Sequence, residues 1–131
     1  MKTLAQIQEM LPSFARLVGI EIVSAAPEKI VGELTVREDL CIGSGIMHGG
    51  AIMSFADTLG AFGTIVNLPE GANTTTIESK TNFIAPAPLG TRLIGEAMPL
   101  HRGKRTMVWQ TRIATSEGRL VAVVTQTQLV M

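Results

Sequence analysis

Residues 46–63, IMHGGAIMSFADTLGAFG, constrain the fold of this 131-residue chain more than any other stretch. Bulky apolar residues (Ile52, Met53, Phe55, Leu59, Phe62, Ile65) are interspersed with small ones (Gly50, Ala51, Ser54, Ala56, Gly60, Ala61, Gly63). The composition predicts a helix over 48 to about 66 that is apolar on every side and lies at the centre of a fold, its small residues admitting neighbouring backbone closely. The stretches TTTIESKTNFIA, TRLIGEAMPL, RTMVWQTRIAT and RLVAVVTQTQLVM follow it as four strands, with turns at APAPLG, HRGK and SEG. These connections leave no room for long crossover helices, so the strands are expected to be antiparallel neighbours.

Ahead of the helix, IEIVSA and KIVGELTV form a predicted hairpin about APEK, and REDLCIGSGIM is a glycine-bearing loop. Leu4, Ile7, Leu11, Phe14 and Val18 repeat at helical spacing, predicting a short amphipathic helix over 3–18 that Pro12 breaks or restarts. One apolar helix and one largely antiparallel sheet bury each other if the sheet curves around the helix. The expected fold is therefore α+β: about six strands around one long central helix, with a short helix at the N-terminus. Strict alternation in the strand after the central helix places Ile77, Ser79, Thr81 and Phe83 on one face, and Thr76, Glu78, Lys80 and Asn82 on the other. With 46% apolar residues and no repeat, linker or low-complexity tract, residues 1–131 read as one domain.

Eleven basic residues balance eleven acidic ones, which argues against nucleic acid or an anionic membrane as partner. No apolar run approaches the roughly 20 residues needed to span a bilayer. The single cysteine, Cys41, excludes an internal disulfide framework and fits a reducing compartment, so a cytoplasmic location is expected. His48, His101 and Cys41 are dispersed without metal-ligand spacing, and no metal or redox cofactor is expected.

The candidate chemistry lies on the central helix. First-turn amides have no partner within a helix and, with the positive end of its dipole, suit a carbonyl oxygen that gains negative charge during acyl transfer. The Gly49 amide is the candidate oxyanion contact; a plain tight turn at His48-Gly49-Gly50 accounts for the motif as well. Asp57 is the one carboxylate of the helix, and an acid in apolar surroundings has a partner or a task. It is a candidate general base or nucleophile, the alternative being a structural acid bonded to a backbone amide or a threonine. Eight residues of helix put Asp57 about 12 Å along the axis from Gly49, too far for both to act on one carbonyl carbon. If both act, the helix start of one subunit must meet the acid of another, which requires a homodimer.

HGGAIMSFADTLG, with its acid nine positions after the histidine, resembles the hotdog-fold acyl-CoA thioesterases of the phenylacetate-pathway type. The likeness extends through FARLVGIEIVSAAPEKIVGELTV and TTTIESKTNFIAPAPLGTRLIGEA, and so covers nearly the whole chain. It implies hydrolysis of an acyl- or aryl-CoA thioester with no cofactor, by an obligate homodimer that pairs into a homotetramer. Gly49 would be the oxyanion amide and Asp57 the nucleophile or base; His48 would organise the helix start or the thioester carbonyl. Thr76 matches a hydroxyl position near the attacking water, or is an ordinary strand threonine. Lys104, with Arg102, Arg105 and His101 in the basic turn HRGKR, would meet the nucleotide portion of coenzyme A, unless the cluster is only a solvated turn. Phe83 and Pro86 would border the pantetheine channel. One departure stands out: relatives often carry Asn or Gln shortly before HGG, where this chain has LCIGSGIM, which throws carbonyl polarisation onto Gly49. A non-catalytic acyl-CoA sensor and an acyl thioester hydratase are the competing readings.

Overall fold

A computed structural model describes residues 2–131. The N-terminal helical stretch is broken ahead of Pro12, as expected, into two short helices, α1 (Leu4–Glu9) and α2 (Ser13–Val18). Thr3 and Gln6 cap α1 reciprocally, and Pro12 stands as the extended N-cap just ahead of α2, where its missing N–H costs no helical bond. Gly19, at φ 90°, ends α2 and turns the chain into the sheet.

Then come β1 (Glu21–Ala26), β2 (Lys29–Thr35), α3 (Gly49–Ile65), β3 (Thr74–Phe83), β4 (Arg92–Arg102), β5 (Thr106–Thr115) and β6 (Leu120–Val130). All pairings are antiparallel, in the order β1-β2-β4-β5-β6-β3. The sheet wraps α3, which packs against all six strands; this is the hotdog arrangement. Period-two side chains of the inner face (Leu34, Leu93, Trp109, Ile113, Val124) form one core with Phe55 and Leu59 of α3, and all are fully buried. Glycines on both sides make this closeness possible: a Cβ at Gly63 would meet the Trp109 ring at 2.8 Å, and one at Gly95 would meet Phe55 at 3.1 Å.

Two expectations are corrected. β3 does not neighbour β4: the chain passes from β3 over β6 and β5 to reach β4, and β3 is a sheet edge bonded only to β6. The strict alternation of β3 also fails. The register slips between Thr76 and Glu78, leaving Ile77 as a bulged residue, so Thr76 lies on the same inward-facing side as Ser79 and Thr81.

The two sheet edges differ. At the β1 edge, α1 packs on the strand, and Gln8 donates to the Ile22 carbonyl at 2.7 Å. Nearby, Arg92 of β4 donates to Glu33 (3.0 Å), Thr35 (2.9 Å) and Glu21 (3.1 Å), clasping three strands. Burial opposes the charge of Arg92, but the bonds to Glu21 and Glu33 and their charges outweigh it and raise its pKa above the ordinary arginine value. The β3 edge has no such cover among the described residues, and Ile77, Phe83 and Ile84 are more than half exposed along it.

Candidate active site

His48 is the N-cap of α3. Its backbone is extended (φ −61°, ψ 136°), and its Nδ1 accepts the Gly50 amide at 2.8 Å. The amides of Ala51 and Ile52 bond back to the His48 carbonyl at 2.9 and 3.1 Å. The Gly49 N–H alone among these first-turn amides has no acceptor among the described residues. The histidine therefore caps the helix start and leaves one amide uncommitted.

His48 and Gly49 open onto different clefts. Gly49 lies in an apolar groove of about 530 Å³, with Ile46, Ile52, Phe83, Ile84 and Pro86 in its walls. Phe83 and Pro86 thus line the same groove as Gly49, and the Phe83 ring lies so close that a Cβ at position 49 would meet it at 3.1 Å. His48 faces a second cleft, of about 470 Å³, bounded by Phe14, Leu17, Arg37, Cys41 and Ser54.

Asp57 is half-buried midway along α3. Its Oδ1 accepts from the Thr76 hydroxyl at 2.7 Å and from Gln126 Nε2 at 3.3 Å, while Oδ2 has no protein donor among the described residues. The β3 bulge makes the first bond possible, because unbroken alternation would carry Thr76 to the opposite face from Ser79 and Thr81. The threonine contact belongs equally to the structural and the catalytic reading of this acid; the free second oxygen is what a base or nucleophile needs in addition.

Gln126 and Gln128, absent from the sequence reading, complete the surroundings. Both are fully buried on the inner face of β6, in phase with Ala122 and Val124. Gln126 Nε2 donates to the Asp57 carbonyl at 3.3 Å and to Gln128 Oε1 at 2.9 Å. Gln128 Nε2 donates to Thr74 Oγ1 at 3.0 Å, and its Oε1 lies 2.6 Å from Thr76 Oγ1. The signal available in the sequence was TQTQ: two long amides at alternate, inward-facing positions of a strand otherwise built for the core.

Lys104 and Arg102 border a third cleft with Asn67, Pro69 and Met107. It lies past the C-terminus of α3, whose sixteen steps from Gly49 to Ile65 span about 24 Å. The structure therefore does not bring the basic turn to Gly49 within one protomer. Arg102 is partly committed, donating to the Pro27 carbonyl at 3.2 Å, whereas Lys104 and Arg105 are exposed and free of ion pairs among the described residues. No group of three His, Cys, Asp or Glu side chains that could hold a metal occurs among the described residues, and no helix there is long and apolar enough to cross a membrane.

Residues 44–122, from the loop before α3 into β6, match the model of the thioesterase superfamily. The chain is 32% identical over 114 residues to human acyl-coenzyme A thioesterase 13, covering 84% of this chain and 79% of that protein. Among solved structures, a thioesterase from Haemophilus influenzae superposes with a TM-score of 0.93 at 26% identity, over 100% of this chain and 92% of that one. The PaaI protein of the E. coli phenylacetic acid degradation operon gives a TM-score of 0.87 at 25% identity, covering 97% and 90%. A family match that takes in α3 and most of the sheet, together with a fold that superposes over the full length, leads to one conclusion: the chain belongs to the thioesterase superfamily.

Proposed function

We propose that this enzyme hydrolyses an acyl- or aryl-CoA thioester to the free acid and coenzyme A, at a centre shared by two copies of the chain. The observation that carries the reading is that α3 offers two complementary groups: an uncommitted amide at Gly49 beside an apolar groove, and an acid at Asp57 with one oxygen held and the other free. In the reaction the thioester oxygen accepts from the Gly49 N–H. Water gives a proton to Asp57 as its oxygen bonds to the carbonyl carbon, the C–S bond breaks, and the proton passes to the departing sulfur. A direct attack by Asp57, followed by hydrolysis of the resulting anhydride, uses the same groups.

The separation of Gly49 and Asp57 along α3 supports the dimer, and the exposed β3 edge supports its geometry. Within a protomer, Thr76 at one end of β3 bonds Asp57, and Phe83 at the other end packs on Gly49. Antiparallel pairing of β3 with its own copy sets the Thr76 end of one strand against the Phe83 end of the other, carrying each acid toward the opposite helix start. It also covers an edge that would otherwise invite aggregation. Phe83 and Pro86 then border the acyl-pantetheine path, and Lys104, with Arg102 and Arg105 beside it, approaches the phosphates of the nucleotide. Association of two dimers into a tetramer is the further assembly the family resemblance implies.

A thiol-release screen over a panel of acyl-CoA and aryl-CoA esters tests this reading. Turnover of at least one ester that disappears in Asp57→Asn is the expected result. Saturable binding without thiol release across the panel would point instead to a sensor, and hydration of a crotonyl thioester in place of its hydrolysis to a hydratase.

A further inference from the structure

The polar cluster behind Asp57 holds more acceptors than its hydroxyl has protons. Thr76 Oγ1 carries one hydrogen, yet it lies 2.7 Å from Asp57 Oδ1 and 2.6 Å from Gln128 Oε1, both of them acceptors. With Asp57 ionised, the hydroxyl donates to the carboxylate, and the charge-assisted bond is the stronger of the two. With Asp57 protonated on the free Oδ2, Oδ1 loses its charge and becomes a weaker acceptor than an amide oxygen, so the threonine proton turns to Gln128 Oε1 while Oδ1 keeps the Gln126 N–H. Each protonation state thus gives the one hydroxyl hydrogen its stronger acceptor, and rotation of that hydroxyl interchanges the two.

The arrangement requires Gln128 to present its carbonyl, and its neighbours fix that orientation. Gln128 Nε2 donates to Thr74 Oγ1 at 3.0 Å, and Gln128 Oε1 accepts from Gln126 Nε2 at 2.9 Å. Gln126 is fixed in turn: its amino group faces three acceptors, namely the Asp57 carbonyl, Asp57 Oδ1 and Gln128 Oε1. A flipped amide would set oxygen against oxygen at all three. The orientation is kept although it leaves Gln126 Oε1 buried without a partner, facing Gly60, where any side chain would collide with it.

From this we infer that Gln128 is a positioning residue for the reaction: it supplies the acceptor to which the Thr76 hydroxyl turns when Asp57 takes up the proton of the attacking water. The inference rests on the proposed function, with Asp57 in the role of base. A glutamine serves here because it accepts a hydrogen bond without adding a second negative charge beside the acid.

A double-mutant cycle read in kcat and KM tests it. Gln128→Met keeps the length of the side chain and removes the acceptor; kcat is expected to fall about tenfold, the worth of one such bond, with KM within about twofold of the parent. Placed on Thr76→Val, which is already slower, the same substitution is expected to cause a clearly smaller loss than in the parent, because the hydroxyl through which Gln128 acts is gone and only its bond to Gln126 remains to be lost. Thr74→Val, which releases the Gln128 amide without emptying the core, provides a milder form of the same cycle should Gln128→Met not fold. Equal losses in the parent and in the Thr76→Val background, or a raised KM with unchanged kcat, would overturn the inference. An active Asp57→Asn enzyme would instead remove the functional reading on which it rests, so the two failures are distinguishable.

Discussion

The two groups proposed to meet at the thioester are held in contrasting ways, although both belong to α3. At the helix start the functional atom is a main-chain N–H, oriented by a single cap from His48 and set in an exposed apolar groove. Eight residues on, the functional atoms are carboxylate oxygens, fixed by a threonine and two glutamines that are fully or partly buried. An amide has one charge state, and helix geometry alone aims it. An acid has two, and the proposed turn of the Thr76 hydroxyl gives each of them its own bond. The difference teaches that the oxyanion side of this centre depends on backbone conformation, and the acid side on side-chain chemistry spread over α3, β3 and β6.

That contrast can be broken by substitution. Asp57→Asn preserves shape and removes the proposed base, and should lower kcat by about a thousandfold while leaving the thermal unfolding midpoint close to that of the parent; thiol release and calorimetry on the same preparation check both halves. Gly49→Pro deletes the amide at the one helix position that favours proline, after a residue already extended, at the cost of displacing the Phe83 ring by a few tenths of an ångström. A fall in kcat of about a hundredfold with circular dichroism unchanged is expected. A mild effect would mean that the helix start only shapes a turn.

Smaller effects sharpen the picture. Gly60→Ala pushes a methyl group into the Gln126 amide and should lower stability by about 1–3 kcal/mol, with a parallel loss of kcat, measured by denaturant unfolding and steady-state assay. Lys104→Ala should raise KM a few-fold and leave kcat alone, with the difference shrinking as salt is added, as befits an exposed cation meeting a phosphate. An unchanged KM would return the basic turn to the status of a solvated hairpin.

The architecture was legible where local chemistry decides it. The all-round apolar composition of α3, the turns HRGK and SEG, and the Pro12 interruption each speak through neighbouring residues, and the helices and strands lie where those signals put them. Gly49, His48 and Asp57 were legible for a related reason, since capping and a carboxylate in an apolar helix are local anomalies. What escaped was set by distant parts of the chain. Pairing of β3 with β6 joins segments about fifty residues apart, and no turn signal marks it. The bulge at Ile77 adds one residue to a strand whose threonines and serine look equally suited to either face, so the phase of Thr76 could not be read. Gln126 and Gln128 look like solvent-facing residues until Gly60 and Asp57 are seen opposite them.

Complementation between two inactive chains bears most directly on the shared centre. Co-expressing Asp57→Asn and Gly49→Pro chains with different tags, and isolating the mixed dimer, gives a molecule with one centre carrying both defects and the other carrying neither. The account predicts that this mixed dimer recovers about half the parental turnover, one intact centre out of two. Mixed dimers as inactive as either parent would place the amide and the acid of each centre in the same protomer and contradict it.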